Sequence, residues 1–359
     1  MPDYTHLPHY PLVPVANVIA SVLILLSVIN SSSRHAWNAG VVMLGVWIFA
    51  LGLITAVDAI VWSNNVDIVS PVWCDISTRI GLGSAVGVPA CALVITRRLC
   101  KIAKGKGFEM ETPLQRRLDF LLEIMIGFGL PALIVILYYI VQGARFLIFE
   151  EIGCNAAVYA CGLAILLMHT WGIIYHPAAY FPAPIIWTFL RHNQRLNGIL
   201  RDSASGISRS RYYRLLALGC IDIILTLPMG ILHIVLDIGQ LEPRVFWPGW
   251  DVVHEQFDEI VTATADEWRP DFWSRFGLGF DNWVNPAFAV AFFVLFGLTS
   301  EARRTYATVF WGAVGLVGWK RPERPELSRI GFGSVPVDTR GTDVGSRCAY
   351  FLLWTDVVD

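Results

Sequence analysis

The stretch NAAVYACGLAILLMHTWGIIYHPAAYFPAPIIWTFL, residues 155–190, decides the fold. It is apolar over 36 residues but broken by HPAAYFPAP at 176–184. A bilayer core needs about 20 apolar residues in a helix. The stretch is long for one crossing and leaves no loop for two. The charges on either side settle the number. Lys and Arg collect on the cytoplasmic side of a membrane. Residues 97–117 hold seven of them and residues 191–214 hold six. Between the preceding apolar span and this stretch stands only Arg145, beside Glu150 and Glu151. The chain therefore leaves a basic side, turns on a basic-poor side and returns, which requires an odd number of crossings. The reading is one, at about 165–190.

Six other segments are long and apolar enough to cross: about 13–30, 41–62, 78–96, 120–142, 215–238 and 283–298. With the stretch above they make an all-α integral membrane bundle of seven helices. The whole composition agrees. Of 359 residues, 55% are hydrophobic and 16% charged, against about 25% charged in soluble domains, and the mean hydropathy is +0.54. Residues 1–12 lack the basic start of a cleavable signal, so the first span is expected to serve as its own insertion signal. The N-terminus falls outside and the C-terminus inside. On that arrangement 22 of the 27 Lys and Arg are inside, all four Lys among them. Residues 299–320 read as a membrane-proximal amphipathic segment and 321–359 as a disordered cytoplasmic tail.

The outer loop at 240–282 carries nine acids against three Arg, together with Trp247, Trp250, Trp268 and Trp273. Such a surface suits a cationic or amphipathic ligand; an interfacial aromatic belt with a solvated acidic rim is the other reading. The basic inner loops attract anionic lipid. Seven spans joined by short loops leave no room for a soluble catalytic domain. No span carries a lysine for a retinal Schiff base and no HExxH is present, so no enzyme activity, cofactor or metal is expected, and nothing points to nucleic acid.

Inside the spans, ionisable groups are costly and usually partnered or wet. Asp58 lies near the outer end of its span and reads as solvated at headgroup level. Glu123 lies near an inner end and reads the same way. Asp222 is deeper and is expected to hydrogen-bond inside the bundle. His169, His176 and His233 are scattered and read as packing or interface residues. Prolines interrupt all but the first two spans, as kinks or hinges. Cys74 and Cys154 both fall on the oxidising side, which permits a disulfide; two separate thiols is the alternative, and the bridge is the expectation because the other five cysteines lie in spans or in the cytoplasm.

Four segments carry a resemblance: PVWCDISTRIGLGSAVGVPACALVITRRL at 71–99, FEEIGC at 149–154, FWPGWDVVHEQF at 246–257 and FFVLFGLTSEARRTY at 292–306. In these and in their spacing, over about residues 12–310, the chain resembles the fungal mating-pheromone receptors of the a-factor-receptor type. These are class D seven-helix G-protein-coupled receptors, and FWPGW is similar to their basidiomycete branch. The resemblance implies a plasma-membrane receptor that binds a farnesylated peptide pheromone outside and activates a heterotrimeric G protein inside. The family's Trp-Cys and Gly-Cys pairs fall on Trp73–Cys74 and Gly153–Cys154. Its basic helix ends fall on Arg97, Arg98, Arg303 and Arg304, which are thereby expected to meet the G protein. Trp247, Trp250, Asp251 and Glu255 are expected to meet the peptide. Two features depart from the family: a proline-rich fifth span, and a tail ending in RCAYFLLWTDVVD without a long Ser/Thr-rich region. The alternative from another class is a seven-helix transporter or channel, which needs a continuous polar path that Asp58, Glu123 and Asp222 are too few to make.

The charge split is directly testable. A glycosylation tag inserted near Ser205 stays unmodified, as does the sequon Asn30-Ser31-Ser32, because both face the cytosol. Modification at Ser205 contradicts the arrangement.

Overall fold

The computed structural model describes residues 10–32, 38–103, 112–169, 209–239, 245–299, 302–308 and 311. The long helices are α1 (Leu12–Ser32), α2 (Ala39–Val61), α3 (Pro71–Ala103), α4 (Pro113–Ile124) and α5 (Leu130–Val141). A π-helical turn, Met125–Gly129, joins α4 to α5 without a break. Then come a three-residue helix α6 (Gly162–Ala164), α7 (Arg209–Gly239), the single turns α8 (Trp250–Val253) and α9 (Ala265–Trp268), and α10 (Phe272–Phe292). Among the described residues, six helical segments are long and apolar enough to cross a membrane: Leu12–Asn30, Ala39–Val61, Pro71–Lys101, Pro113–Val141, Tyr213–Leu236 and Phe272–Gly297. Of the fifth span expected at 165–190, residues 170–190 lie outside the described residues; Ile165–His169 form a π-helical turn.

Local chemistry sets the helix ends. Thr112 caps α4: its hydroxyl accepts from the Gln115 N–H while the Gln115 side chain accepts from the Thr112 N–H, and Pro113 fills the first helical position, where no N–H is needed. Asn38 caps α2 through the Gly40 N–H. Lipid-facing positions stay apolar and exposed, such as Val18, Val22, Leu25 and Ile29 on α1. Inward positions pack into one layer around Ile24, Leu44, Ile48, Ile95, Leu218 and Phe292.

The bundle is not purely helical. β1 (Ala144–Phe149) and β2 (Gly153–Asn155) form an antiparallel hairpin, and β3 (Gln256–Ala263) pairs parallel to β1, giving the order β2-β1-β3. This sheet lies beyond the helices at the end where α2 stops and α3 begins. Hydropathy alone ends the span at about 142 and leaves the residues after it as an outer loop. The alternation in ARFLIF, with Ala144, Phe146 and Ile148 buried and the residues between them less so, is the strand period. It begins three residues after Val141, where it merges with the hydropathy of the span.

Two prolines show how the bundle absorbs breaks in its helices. Pro131 has no N–H to offer the carbonyl of residue 127, and the indole N–H of Trp47 reaches across from α2 to donate to Gly127 O at 2.9 Å. Gly83 and Gly87 of α3 make room for that indole; a Cβ at either would collide with it. Pro286 likewise leaves the carbonyl of residue 282 unpaired, and Asn17 of α1 donates to Asn282 O at 3.3 Å. Asn285 donates in turn to Asn17 Oδ1 at 3.3 Å. In each case a donor on a neighbouring helix satisfies what the proline frees.

This pairing predicts a specific rescue. Trp47→Phe leaves Gly127 O without its donor and lowers the stability of the purified protein by about 1–3 kcal/mol. Adding Pro131→Ala, which restores a backbone N–H, recovers part of the loss in thermal unfolding; equal melting of the single and double variants contradicts the pairing.

Candidate functional site

At the sheet end, one covalent bond fastens the hairpin to the bundle. Cys74 in the first turn of α3 and Cys154 in β2 form a disulfide, with Cα atoms 5.3 Å apart, inside the range such a bond needs. Asp58, at the end of α2, is buried beside it at 4% exposure. Its Oδ1 accepts from the indole N–H of Trp73 at 2.5 Å, and the Cys154 backbone N–H also donates to it. The sequence pattern predicts Asp58 in headgroup water. It is buried instead because the neighbour of Cys74 supplies a donor at the same level. Gly153, at φ +100°, lets the hairpin sit directly on Asp58, where a Cβ would collide. Trp62, fully buried, donates to Asp67 O at 2.9 Å, and its own carbonyl accepts the Glu151 N–H at 2.7 Å.

Further polar ties spread from the same hairpin. Arg145 of β1 forks onto Asp75 of α3 at 2.6 and 3.3 Å. Glu150 accepts the Ala265 N–H at 2.8 Å, and Glu151 pairs with Arg269. Burial raises the Glu151 carboxyl above its ordinary value, while the Arg269 guanidinium pulls it the other way. The 245–271 segment is thus bound down over the hairpin.

Beneath this cap lies a cavity of about 420 Å³, within the ~300–1,000 Å³ of small-ligand sites. Its walls come from α2 (Leu51, Ile54), α3 (Leu82, Val86), α5 (Ile134), α7 (Leu225, Leu227) and α10 (Leu278, Val284), and the hairpin region contributes Ile152, Cys154 and Val158 from the cap side. Its ionisable wall residues among the described ones are Asp58, His233 and Asp281.

The four residues expected to meet a peptide lie elsewhere. Trp247 packs against the cluster of Tyr138, Val141 and Cys161. Trp250, 48% exposed, stacks on His254 with ring centroids 3.9 Å apart, and His254 Nε2 sits 2.9 Å from Tyr139 O near the end of α5. Asp251 and Glu255 are exposed. None of the four lines the cavity. His233 and Asp281, which read in the sequence as a packing residue and as one acid among nine, do line it. Only the register of α7 against α10 brings them together, and sequence spacing does not contain that register.

At the opposite, basic end, Arg97 Nη2 pairs with Asp119 at 2.9 Å and Lys101 with the same carboxylate at 2.5 Å. Arg98 forks onto Glu123 through Nε and Nη2 at 2.6 and 2.7 Å. Glu123 is therefore buried, at 4% exposure, where the sequence pattern predicts solvation: the guanidinium replaces water as its partner. Arg303 and Arg304 stand exposed on the helical segment 302–308, whose start Thr299 caps by accepting the Ala302 N–H at 3.0 Å. Asp222 is buried at 2%, and its Oδ1 has no hydrogen-bond partner among the described residues. The 191–208 part of the basic loop, Glu301 and the tail from 312 lie outside the described residues.

A bundle of long apolar helices, closed at one end by a disulfide-fastened sheet over a largely apolar cavity, defines a multi-pass membrane protein with a cavity of ligand size. Residues 12–318 match the STE3 family, described as pheromone A receptor, and the chain belongs to that family. It is 34% identical over 322 residues to the pheromone B alpha 2 receptor of Schizophyllum commune, covering 88% of this chain and 48% of that one. It is 30% identical to pheromone receptor 2 of Mycosarcoma maydis over 312 residues, 85% of this chain and 88% of that one. It is also 23% identical to the pheromone a factor receptor of Saccharomyces cerevisiae over 295 residues, 79% and 60% of the two chains. The chain spans about half the length of the Schizophyllum relatives it matches.

The cap predicts that Asp58 is structural. Asp58→Ala leaves the Trp73 and Cys154 N–H groups buried without an acceptor, at a cost of about 1–3 kcal/mol for each donor left unpaired. Asp58→Asn, which keeps a carbonyl acceptor, loses less. Thermal unfolding of the two purified variants with the disulfide intact checks the order; equal losses contradict it.

Proposed function

We propose that this chain is a seven-span receptor for a lipidated peptide pheromone, with the capped end outside and the basic end meeting a heterotrimeric G protein. The observation that carries the reading is the cavity of about 420 Å³ under the disulfide-fastened hairpin, in a chain of the pheromone A receptor family. A prenyl chain needs an apolar, water-shielded slot, and the Leu, Ile and Val walls fit that chemistry. An interfacial aromatic belt, the other reading of the Trp250 cluster, agrees with its position at the end of α5. The polar part of the peptide then has the acidic surface of 245–271 above it rather than those rings alone.

The helix ends support a seventh crossing. α5 finishes at the capped end, beside β1. α7 begins at the basic end, with Leu215 and Leu218 packed in the layer that holds Ile95 and Leu99. A chain joining the two has to traverse the bundle once, the role assigned to residues 165–190. The capped end faces outside on this reading, because a disulfide belongs to the oxidising side and the positive charge to the other.

The ion pairs of the basic end refine the coupling reading. Arg97 and Arg98 are engaged with α4, so they reach a partner only when those pairs open. Arg303 and Arg304 are presented already. Pheromone binding favours whichever bundle arrangement it binds more tightly, and that arrangement is the one that meets the G protein. A transporter needs a polar path through the layer of Ile24, Leu44, Ile48, Ile95, Leu218 and Phe292, and among the described residues that layer is apolar.

Expression in a yeast pheromone-reporter strain lacking its own receptor, challenged with a panel of farnesylated peptides, tests the reading. A response to farnesylated but not to unprenylated peptides is expected; no response to any of them at confirmed surface expression contradicts it. In the same strain Arg303→Lys keeps surface number and binding but lowers output. Charge alone serves topology and lipid, whereas a docking contact needs the planar guanidinium fork. Full output leaves only the electrostatic role.

A further inference from the structure

Arg79 is a cation on the lipid side of a membrane-spanning helix. It shares a face of α3 with Val72 and Ile76, which are exposed. α3 has 33 residues and is about 50 Å long, so a centred hydrocarbon core of about 30 Å leaves roughly 10 Å of it among the headgroups at each end. Arg79 lies about 12 Å from Pro71, where hydrocarbon meets headgroup on the capped side. Its side chain is 42% exposed and turns back towards that end, Nη1 donating to Asp75 O at 2.8 Å. The Asp75 carboxylate is 3.6 Å away, beyond a hydrogen bond, and already holds the Arg145 fork at 2.6 and 3.3 Å. A guanidinium has five N–H donors, so most of those on Arg79 meet no acceptor among the described residues. Beside it runs an apolar groove of about 410 Å³, walled by Val72, Ile76 and Ile80 of α3 and by Trp47 of α2. Trp47 offers only its rings there, because its indole N–H is committed to Gly127 O.

We infer that Arg79 and this groove bind one glycerophospholipid of the leaflet on the capped side, its phosphate on the guanidinium and an acyl chain along the groove. An arginine at this depth keeps its charge and needs a partner. A phosphodiester supplies a negative charge and two oxygens that fit the guanidinium fork. A sterol hydroxyl offers one acceptor and no charge, so it answers the groove but not the cation. Asp75 also lines the groove, and its pairing with Arg145 offsets its repulsion of a phosphate. Val72, Ile76 and Ile80 follow at intervals of four, which stacks them along α3 below the headgroup. The groove and the ligand cavity share no wall residue among the described ones, so this site is independent of what the cavity holds.

Arg79 reaching only into headgroup water is the competing account, so the test reads where a lipid sits rather than stability. The full receptor is placed in phosphatidylcholine nanodiscs that carry a trace of phosphatidylcholine with a diazirine in its acyl chain, and no peptide is added. Adducts mapped by mass spectrometry are expected to be about ten-fold richer at Val72, Ile76 and Ile80 than at Val15 and Val18, exposed positions near the start of α1; that ratio is what one hydrogen bond to a charged group supplies. Excess unlabelled short-chain phosphatidylcholine is expected to displace them, and inorganic phosphate is not. Arg79→Gln, which keeps amide donors without the charge, is expected to bring the adducts down to the α1 level. Arg79→Lys, which keeps the charge without the fork, is expected to fall between. No enrichment over α1 in the parent receptor overturns the inference, and this arm does not depend on how any variant folds. Displacement by inorganic phosphate also overturns it, since the site then takes a free anion. So does an Arg79→Gln receptor that keeps the parent's enrichment.

Discussion

The Cys74–Cys154 bond holds the β1–β2 hairpin on the end of α3, and most of the capped end is positioned through that attachment. Cys74 lies in the first turn of α3, so the hairpin inherits the rigidity of a helix 33 residues long. β1 then templates β3, Glu150 and Glu151 bind down the segment around Ala265 and Arg269, and Ile152, Cys154 and Val158 form the cavity wall on that side. Closing a loop across a sequence separation of 80 is worth about 4.5 kcal/mol by loop-closure entropy, less in a chain the membrane already constrains. Asp58 adds a polar lock at the same point. A buried carboxylate is tolerable there because it accepts two hydrogen bonds.

The bundle itself combines breaks with compensation. Pro131 and Pro286 each leave a carbonyl without its helical donor, and Trp47 and Asn17 supply one from another helix. Such a joint is satisfied without being a continuous helical ladder. At the basic end, the pairs Arg97–Asp119, Lys101–Asp119 and Arg98–Glu123 fasten α3 to α4. Both ends are thus clamped, while the intervening segments contain proline breaks.

Hydropathy and charge make the long helices legible, because a span is a local property of some 20 residues. The cysteine pairing is legible in part, because Cys74 and Cys154 both fall on the oxidising side; Cys161 also precedes the span at 165–190, and only the fold leaves it a free, buried thiol. The strands are not, since ARFLIF comes after the span ending at Val141 almost without a gap. The partners of Asp58 and Glu123 are hidden for another reason. Trp73 is 15 residues from Asp58 and Arg98 is 25 from Glu123, and only the packing of α2 and α4 against α3 makes them neighbours. Sequence reading assigns each acid the partner it can see, which is water. The same limit hides the cavity, which is walled by residues such as Val86, Leu227 and Leu278 that read as ordinary apolar positions.

The central claim is that the lipid of the ligand occupies the cavity beneath the hairpin. Photo-crosslinking tests it most directly, using an active farnesylated peptide with a diazirine in its isoprenoid chain and the full receptor in nanodiscs. Adducts mapped by mass spectrometry are predicted within residues 77–89 of α3 and 278–284 of α10, and are displaced by excess unlabelled peptide. Displaceable adducts confined to the lipid-facing positions Val72 and Ile76, or to the 245–271 segment, would contradict the account.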